Sequence, residues 1–267
     1  MNLKFVNRGK IDEFELSDKG SFGTVGLNED KFTVVLLHFD DSSNILKDEC
    51  GNSWTNWAYN NSPKDLLLSS DIKKFGRSSI KFTDNHAMKL SGLSVGSDYT
   101  IDWWQNRVEQ PDSHRECPVG ISPSGVTNKA VVLNQWYDNY VQLFNENANN
   151  NITYYQVKRN ILNSWHHSAF VVNNELGTWY LDGESLCSGI AIQNYIGNNL
   201  DIYVGAGGPA HINIWGTSYS VYFNGYIDEF RISNGIARWT DSFIPPTEPY
   251  NINTEGNIPY YSDIARV

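Results

Sequence analysis

Large aromatic side chains beside acids and amides, in stretches that resemble loops, are the residues of this sequence most suited to chemistry. One stretch is Trp136–Asn139, and the other is Trp215–Tyr219 in a Gly-rich segment that begins near Gly205. Sugar C–H faces stack on aromatic rings, while carboxylates and amides hydrogen-bond to sugar hydroxyls. Large rings in loops are costly to expose to water, so they usually bind a ligand or pack on the protein. The alternative to a binding role is therefore that these rings cover open edges of the sheets. The residues expected to form a glycan-binding platform are Trp136, Tyr137, Asp138, Trp215 and Tyr219.

Hydrolysis of a glycosidic bond needs a different arrangement, in which two carboxylates flank the bond. Asp182 and Glu184 are separated by one residue, but they span a predicted hairpin turn, where we expect both to be solvated. No Gly-x-Ser-x-Gly or His-Glu-x-x-His motif occurs in the sequence. These patterns predict a protein that is not an enzyme, while a glycoside hydrolase with carboxylates from distant strands stays open.

Metal binding through histidine or cysteine is also disfavoured. His166 and His167 are adjacent, and adjacent residues of a strand point to opposite faces, so the pair cannot chelate one ion. Cys50, Cys117 and Cys187 are widely spaced, and no Cys-x-x-Cys occurs. We expect structural thiols, with one disulfide left open as an alternative.

The charge balance excludes several classes of partner. The chain has 20 basic and 30 acidic residues, a formal net charge of −10, and no run of Lys or Arg. Phosphate-rich partners need a positive field, so we expect neither nucleic acid nor an anionic membrane surface as a partner. No stretch of about 20 apolar residues is present to span a bilayer, and residues 1–10 lack the apolar core of a secretory signal.

Strands must position the candidate residues, because apolar and polar residues alternate with period two and aromatic and β-branched residues are enriched. Asp182-Gly183 is a strong two-residue hairpin turn, and no window shows helical periodicity over three turns. The sequence predicts an all-β, two-sheet antiparallel jelly-roll sandwich. The predicted strands are 33–39, 79–83, 99–103, 131–136, 140–144, 152–157, 168–173, 178–181, 201–205 and 222–232.

Composition divides the chain into three parts. Residues 1–31 are polar and Gly-rich and cannot form a core alone, so we expect an N-terminal extension or docking arm. Residues 32–248 hold the predicted strands. Residues 249–267 contain Pro249 and Pro259 and are expected to form a C-terminal tail.

Six segments, in order, resemble the concanavalin A-like, laminin G-like jelly rolls. The opening strand, a K-F-G-x-S segment, an Asp-Trp-Trp strand, a Trp-His-His strand, an Asp-Gly hairpin and the closing strand are all similar to elements of that family. The matching segments are 35–40, 74–82, 98–104, 164–171, 181–183 and 223–233. The resemblance covers roughly residues 33–248 and implies a concanavalin A-like fold in a non-catalytic, carbohydrate-binding module.

The same resemblance implies a structural calcium ion, since members of the family often carry one. Asp40 and Asp41 end the first strand and Asp228 lies on the last, and these strands pair in such jelly rolls. Calcium takes 6–8 oxygen ligands, so these carboxylates with backbone carbonyls would suffice. The alternative is that Asp228 binds strand backbone and Asp40 caps a turn.

Two locations fit a lectin-like fold without a signal sequence. The first is a bacteriophage virion, because phage particles assemble in the cytosol; residues 1–31 would then dock to a virion protein while the jelly roll recognises a host-surface glycan. The second is extracellular or on a bacterial surface. A structural or protein–protein assembly module without sugar binding is the competing function.

Overall fold

The computed structural model describes residues 3–7, 10–14, 30–59, 61–83, 86–108, 116–125, 131–136, 140–146, 152–192, 199–208, 212–214, 217–219 and 222–252. Within these ranges the chain forms strands, turns and irregular segments, and no helix. The strands of the first half are β1 (Leu3–Asn7), β2 (Lys10–Phe14), β3 (Thr33–Leu37), β4 (Thr55–Asn56), β5 (Leu67–Ser69), β6 (Ser79–Phe82), β7 (Met88–Leu93), β8 (Tyr99–Arg107) and β9 (Glu116–Pro123). The remaining strands are β10 (Val131–Trp136), β11 (Tyr140–Glu146), β12 (Ile152–Lys158), β13 (Trp165–Asn173), β14 (Leu176–Leu181), β15 (Glu184–Ala191), β16 (Leu200–Val204), β17 (Ile212–Ile214), β18 (Thr217–Tyr219) and β19 (Gly225–Asn234).

Two antiparallel sheets form the predicted sandwich. The front sheet has seven strands in the order β12-β11-β10-β9-β16-β7-β4. The back sheet has eight, in the order β15-β14-β13-β8-β19-β6-β5, with β3 also paired to β19. The pairs β1–β2 and β17–β18 form two further two-stranded sheets.

The core lies between the two sheets because alternate residues of each strand are apolar. One buried cluster contains Ile121 and Ile202 of the front sheet and Trp103, Phe170 and Ile227 of the back sheet, all 0% exposed. Burial of these apolar side chains stabilises the fold by about 25 cal/mol per Å² of surface removed from water, and it is the main favourable contribution to folding. The core therefore fixes which residues of each strand face outward.

The predicted Asp182–Gly183 turn is present. Leu181 pairs with Glu184 across it, and φ is 49° at Asp182 and 81° at Gly183, as a two-residue hairpin with two left-handed positions requires. A Cβ added at Gly183 would overlap the carbonyl oxygen of Phe243, whose N–H donates to Gly183. The turn is therefore held from outside as well as by its own strands.

A segment after β19, residues 237–252, crosses the outer face of the back sheet, and we call it the strap. Trp239 stacks on Phe243 at 4.0 Å between ring centroids, and both pack on Tyr180 and its neighbours. Tyr250 is 3% exposed, and its ring lies 3.9 Å from Cζ of Arg231. The first residues of the predicted tail are therefore packed on the sandwich, because Tyr250 buries a guanidinium that would otherwise face water.

Candidate functional site

The outer face of the front sheet is the surface that the strand register organises best. Ile121, Val131 and Ile202 point into the core, so their sequence neighbours occupy positions on the opposite face. Cα pairing joins these positions into one continuous row across all seven strands of the sheet. From β12 to β4 the row is Tyr154, Phe144, Val132, Gly120, Tyr203, Lys89 and Thr55.

Two more rows on the same face are rich in amides and aromatic residues. The first joins β12, β11 and β10 through Gln156, Gln142 and Asn134. The second joins the same strands through Lys158, Tyr140 and Trp136. Neighbouring strands lie about 4.8 Å apart, so the paired positions within each row are direct neighbours on the sheet.

Four rings form a connected group on this face beside β16, and we call it the aromatic group. Its members are Trp57, Tyr59, Tyr203 and Tyr222. Trp57 contacts Tyr59 at 4.8 Å and Tyr203 at 4.9 Å between centroids, both edge to face. Tyr222 accepts the N–H of Tyr59 at 2.9 Å. Tyr203 is 2% exposed, whereas the other three are half-buried. Tyr203 therefore supports Trp57 from below, and Trp57 in turn contacts the other two rings.

A charged pair lies directly beside the aromatic group. Lys89 Nζ is 2.7 Å from Asp201 Oδ2 and 5.5 Å from the centre of the Tyr203 ring. Burial acts to raise the pKa of Asp201, but hydrogen bonds from Lys89 and Ser124 outweigh it and lower the pKa. Burial acts in the opposite sense on Lys89, whose pKa is nevertheless raised by Asp201. Both groups stay ionised at neutral pH, and the pair adds no net charge to the face.

Glycines shape the floor next to Tyr203. A Cβ at Gly120 would lie 2.6 Å from the backbone of Gly207, and one at Gly208 would lie 2.8 Å from the Tyr203 ring. The chain after β16 therefore lies directly on β9 and on Tyr203. Any larger residue at these two positions would move this segment away from the sheet.

The structure describes only part of the predicted glycan platform. Trp136 ends β10 and Tyr219 ends β18, and for both it is the backbone that is described. Tyr137, Asp138 and Trp215 lie outside the described residues. By strand register Trp136 lies in the row of Tyr140 and Lys158, and the platform stays a prediction.

Sequence reasoning missed the residues on which the described site is built. Tyr203 lies in a predicted strand but has no assigned role, Lys89 lies outside the predicted strands, on β7, and Trp57 is not part of the predicted platform. The available signal was the alternation of Tyr203 with core residues Ile202 and Val204. It marks the outward face, but it does not say that β7 and β16 are neighbours.

The predicted calcium ligands are engaged by backbone N–H groups. Asp40 accepts the N–H groups of Arg77 and Ser78 through one oxygen, and Asp41 accepts both N–H and O–H of Ser43. In the part of the chain described here, no group of three or more His, Cys, Asp or Glu side chains is placed to hold a metal ion.

Asp228 is engaged in the same way. It is 1% exposed and accepts the N–H groups of Lys74 and Phe75 through Oδ2 and that of Glu229 through Oδ1. Burial raises its pKa to about 7, against the effect of these donors. Protein donors thus engage one oxygen of Asp40, one of Asp41 and both of Asp228, as the alternative interpretation expects for Asp228. Calcium binding stays a prediction.

The cysteines are free thiols: Cys50 is exposed, Cys117 is buried and Cys187 is half-buried. Burial, with nearby carboxylates in the case of Cys50, raises the pKa of both Cys50 and Cys187 to about 11. These thiols are protonated at neutral pH and are poor nucleophiles. The prediction of structural thiols agrees with this arrangement.

The described residues include no helix of the length and apolarity needed to cross a membrane.

A family model of the concanavalin A-like lectin/glucanases superfamily, of laminin G type, matches residues 77–240, which is more than half of the chain. The chain belongs to this superfamily. The predicted resemblance and the predicted jelly-roll sandwich are thereby confirmed. No curated protein matches the chain.

Solved structures share this fold at low sequence identity. Domain 4 of a GH43 extracellular arabinanase from Geobacillus stearothermophilus, in complex with arabinotriose, has a TM-score of 0.57 and 20% identity, covering 76% of this chain and 92% of that one. The binding domain of botulinum neurotoxin serotype D has a TM-score of 0.51 and 10% identity, covering 77% of this chain. This chain spans about half of that binding domain, 48%. These similarities concern the fold.

Proposed function

We propose that the chain is a carbohydrate-binding module that recognises a glycan on the outer face of the front sheet and leaves its glycosidic bonds intact. The observation that carries the proposal is the aromatic group, in which Trp57 packs edge to face on Tyr203 beside the Lys89–Asp201 pair. Rigid rings next to polar groups are what a sugar requires, because its C–H faces stack and its hydroxyls hydrogen-bond.

The two outer faces of the sandwich differ in a way that supports this choice. On the back sheet the strap covers Ala169, Val171 and Tyr180, and its own residue Trp239 is 2% exposed. On the front sheet, the corresponding face carries rows of aromatic and amide positions. The back sheet uses its outer face to hold its own strap, whereas the front sheet places aromatic and amide residues at outward strand positions, which supports the front face as the binding surface.

The fold comparison supports the same function. The arabinanase domain that shares this fold is described in complex with arabinotriose, and the neurotoxin domain is a binding domain. Sugar recognition by this chain is our inference from these two proteins and from the front face together.

We further propose that the ligand is a neutral glycan. The chain has a formal net charge of −10, which repels polyanions. Lys89, the cation beside the aromatic group, is already paired with Asp201 at 2.7 Å. A neutral polysaccharide needs no free cation, whereas a polymer of acidic sugars does.

Binding is tested with a glycan array followed by calorimetry on the best ligand. Trp57→Ala and Tyr222→Ala should each weaken binding about tenfold or more, since one stacking ring contributes about 0.5–1.5 kcal/mol beyond its buried area. Trp136→Ala and Trp215→Ala test the predicted platform in the same assay. Phe75→Ala is the matched control, because Phe75 is also half-buried and contacts Trp104 edge to face on the back sheet.

Unchanged affinity in both Trp57→Ala and Tyr222→Ala would contradict the proposed site. A wild-type protein that binds no glycan on a broad array would favour the structural or assembly module. Release of reducing sugar from a bound polysaccharide would favour the glycoside hydrolase. Thermal unfolding of each variant separates loss of binding from loss of fold.

We propose a virion appendage or a bacterial surface as the location, with a cell-surface glycan as the ligand. The hairpin β1–β2 supports an attachment role for residues 1–31, because it pairs only with itself among the described strands and so belongs to neither sheet of the sandwich. Removing residues 1–29 should abolish association with particles or cell envelopes and leave sugar affinity unchanged. Retained association would refute the docking role of this extension.

A further inference from the structure

A serine, a histidine and an aspartate form a hydrogen-bonded chain at the end of the back sheet. Ser164 Oγ lies 2.8 Å from Nε2 of His166, and Nδ1 of His166 lies 2.6 Å from Oδ2 of Asp182. Ser164 Oγ is also 3.3 Å from the carbonyl oxygen of Leu162. Serine, histidine and carboxylate in this order are the parts of an activated nucleophile, which is recognised by geometry and not by sequence position.

Each member of the chain is fixed by the fold. Oδ1 of Asp182 accepts the N–H of His167 at 2.9 Å, so the carboxylate is held while its other oxygen orients His166. Phe243 contacts the Asp182–Gly183 turn through the N–H it donates to Gly183. Ser164 follows Asn163, whose N–H donates to Arg107 and whose φ is 55°. The three groups are therefore positioned by strand pairing, the strap and a loop anchor.

The electrostatics suit the same role. Burial acts to raise the pKa of Asp182, but the hydrogen bonds from His166 and from the His167 N–H outweigh it and lower the pKa. Asp182 therefore stays ionised and accepts a proton-bearing Nδ1, which leaves Nε2 free to accept from Ser164. Other charged groups lie nearby: Lys74, which interacts electrostatically with Asp182, and the Arg159–Glu184 pair.

We propose that Ser164 is a nucleophile activated by His166, with Asp182 as its positioning residue, and that this cluster cleaves small carboxylic esters. The proposal goes beyond sugar binding and differs from the sequence prediction, which found no catalytic arrangement. The sequence analysis expects Asp182 to be solvated and His166 to be a strand residue, because no sequence pattern shows that Ser164 lies near the hairpin turn.

The reaction is written as acyl transfer to serine and then to water. Ser164 Oγ attacks the ester carbonyl carbon as its proton moves to Nε2 of His166; the C–O bond to the alcohol breaks and the alcohol leaves with that proton. Water, deprotonated by His166, then attacks the acyl-serine, and the Oγ–acyl bond breaks with return of the proton to Ser164. One ester and one water give one carboxylic acid and one alcohol.

Exposure of the cluster sets the substrate class. Ser164 is exposed, and the side chain of Asp182 is 44% exposed while that of His166 is 19% exposed. An acyl group at the surface is contacted from one side only, which favours a short chain such as acetyl on an accessible alcohol. Acetyl esters of an extended polymer reach such a surface, whereas long acyl chains would need an enclosed cavity.

The test uses a fluorophosphonate probe on the whole chain, with mass spectrometry to locate the adduct, and p-nitrophenyl acetate hydrolysis in parallel. An adduct on Ser164 is expected, together with ester hydrolysis that disappears in Ser164→Ala. His166→Gln should slow both reactions about 100-fold or more, since general base catalysis contributes about 10²–10⁴. Asp182→Asn keeps the shape of the turn and should slow them as well. Ser188→Ala, another exposed serine on β15, is the matched control and should react as the wild type does.

Absence of an adduct on Ser164 in the folded protein would overturn the proposal. Labelling of Ser164 at an undiminished rate in His166→Gln would overturn it too, because the serine would then react without its base. Far-ultraviolet circular dichroism shows whether each variant is folded, and Asp182→Asn keeps the test decisive if His166→Gln fails to fold. Sugar binding to the front face should be the same in all of these variants, so the two proposals fail separately.

Discussion

The buried ion pair beneath the strap allows a quantitative test of what holds the back sheet and the strap together. Arg231 and Asp102 are 1% and 0% exposed, and the guanidinium binds the carboxylate through two contacts, 3.0 and 2.9 Å. Burial acts to raise the pKa of Asp102, but Arg231 outweighs it and holds the pKa well below its ordinary value. Tyr250 covers the guanidinium, and His167 lies 3.4 Å from Asp102.

Replacing Arg231 by Met keeps much of the side-chain volume and removes the charge. Asp102 would then be left in the interior with His167, whose own pKa burial lowers and which is neutral there. Leaving one member of a buried pair unpaired costs about 3–5 kcal/mol in the free energy of unfolding. For a domain of this size, about 2–4 °C per kcal/mol gives a fall in Tm of about 6–20 °C.

Urea unfolding at pH 7, followed by tryptophan fluorescence, measures this loss from the shift in midpoint at constant slope. The double variant Asp102→Asn/Arg231→Met removes both charges and should recover part of the loss, because it leaves no buried charge. The folded pKa of Asp102 is depressed, so its stabilising effect is present above about pH 4 and is lost as pH falls further. The free energy of unfolding should therefore fall less steeply below about pH 4 in the double variant than in the wild type. A loss below about 1 kcal/mol in Arg231→Met would refute this account.

Two further predictions concern stability. Gly183→Ala should lower the free energy of unfolding by about 3 kcal/mol, because a φ of +81° is combined with overlap of the added Cβ on Phe243. Gly92→Ala is the control, at φ +80° with open space around the added Cβ, and should lower it by only about 1–2 kcal/mol. Equal losses for the two variants in urea unfolding would contradict the overlap. Burial raises the pKa of Asp228 to about 7, so the stability its proton contributes is complete below the unfolded pKa near 4 and is lost as pH rises through 7. Asp228→Asn should make the free energy of unfolding depend less on pH between pH 5 and 8. A pH dependence equal to that of the wild type would refute the raised pKa.

The strand pattern was readable wherever alternation was strong. The strand Val131–Trp136 was predicted with its observed limits, and the Asp182–Gly183 turn was predicted with its type. Strand β9 was missed because a register shift and Gly120 interrupt its alternation. The polar edge strand β15 was missed because its serines and glycine have low strand propensity, which pairing with β14 overrides.

The functional residues were less readable, because they meet only through sheet topology. Trp57 and Tyr203 are distant in sequence and come into contact because β4, β7 and β16 are neighbours in the front sheet. No local sequence pattern shows that these three strands are adjacent. The sequence also does not show which oxygens of Asp40 and Asp228 accept backbone N–H groups, so it does not distinguish a calcium ligand from a carboxylate that binds backbone.

The central position of β19 has a consequence for how the protein is made. This strand pairs with β3, β6 and β8, and the strap that follows it covers the sheet it completes. On the ribosome, the N-terminal strands of the back sheet must wait for Asn234 to emerge before they gain their shared neighbour. Such distant pairing slows folding, and a nascent chain stopped short of this strand would present three unmatched edges to whatever chaperones or sister chains are nearby.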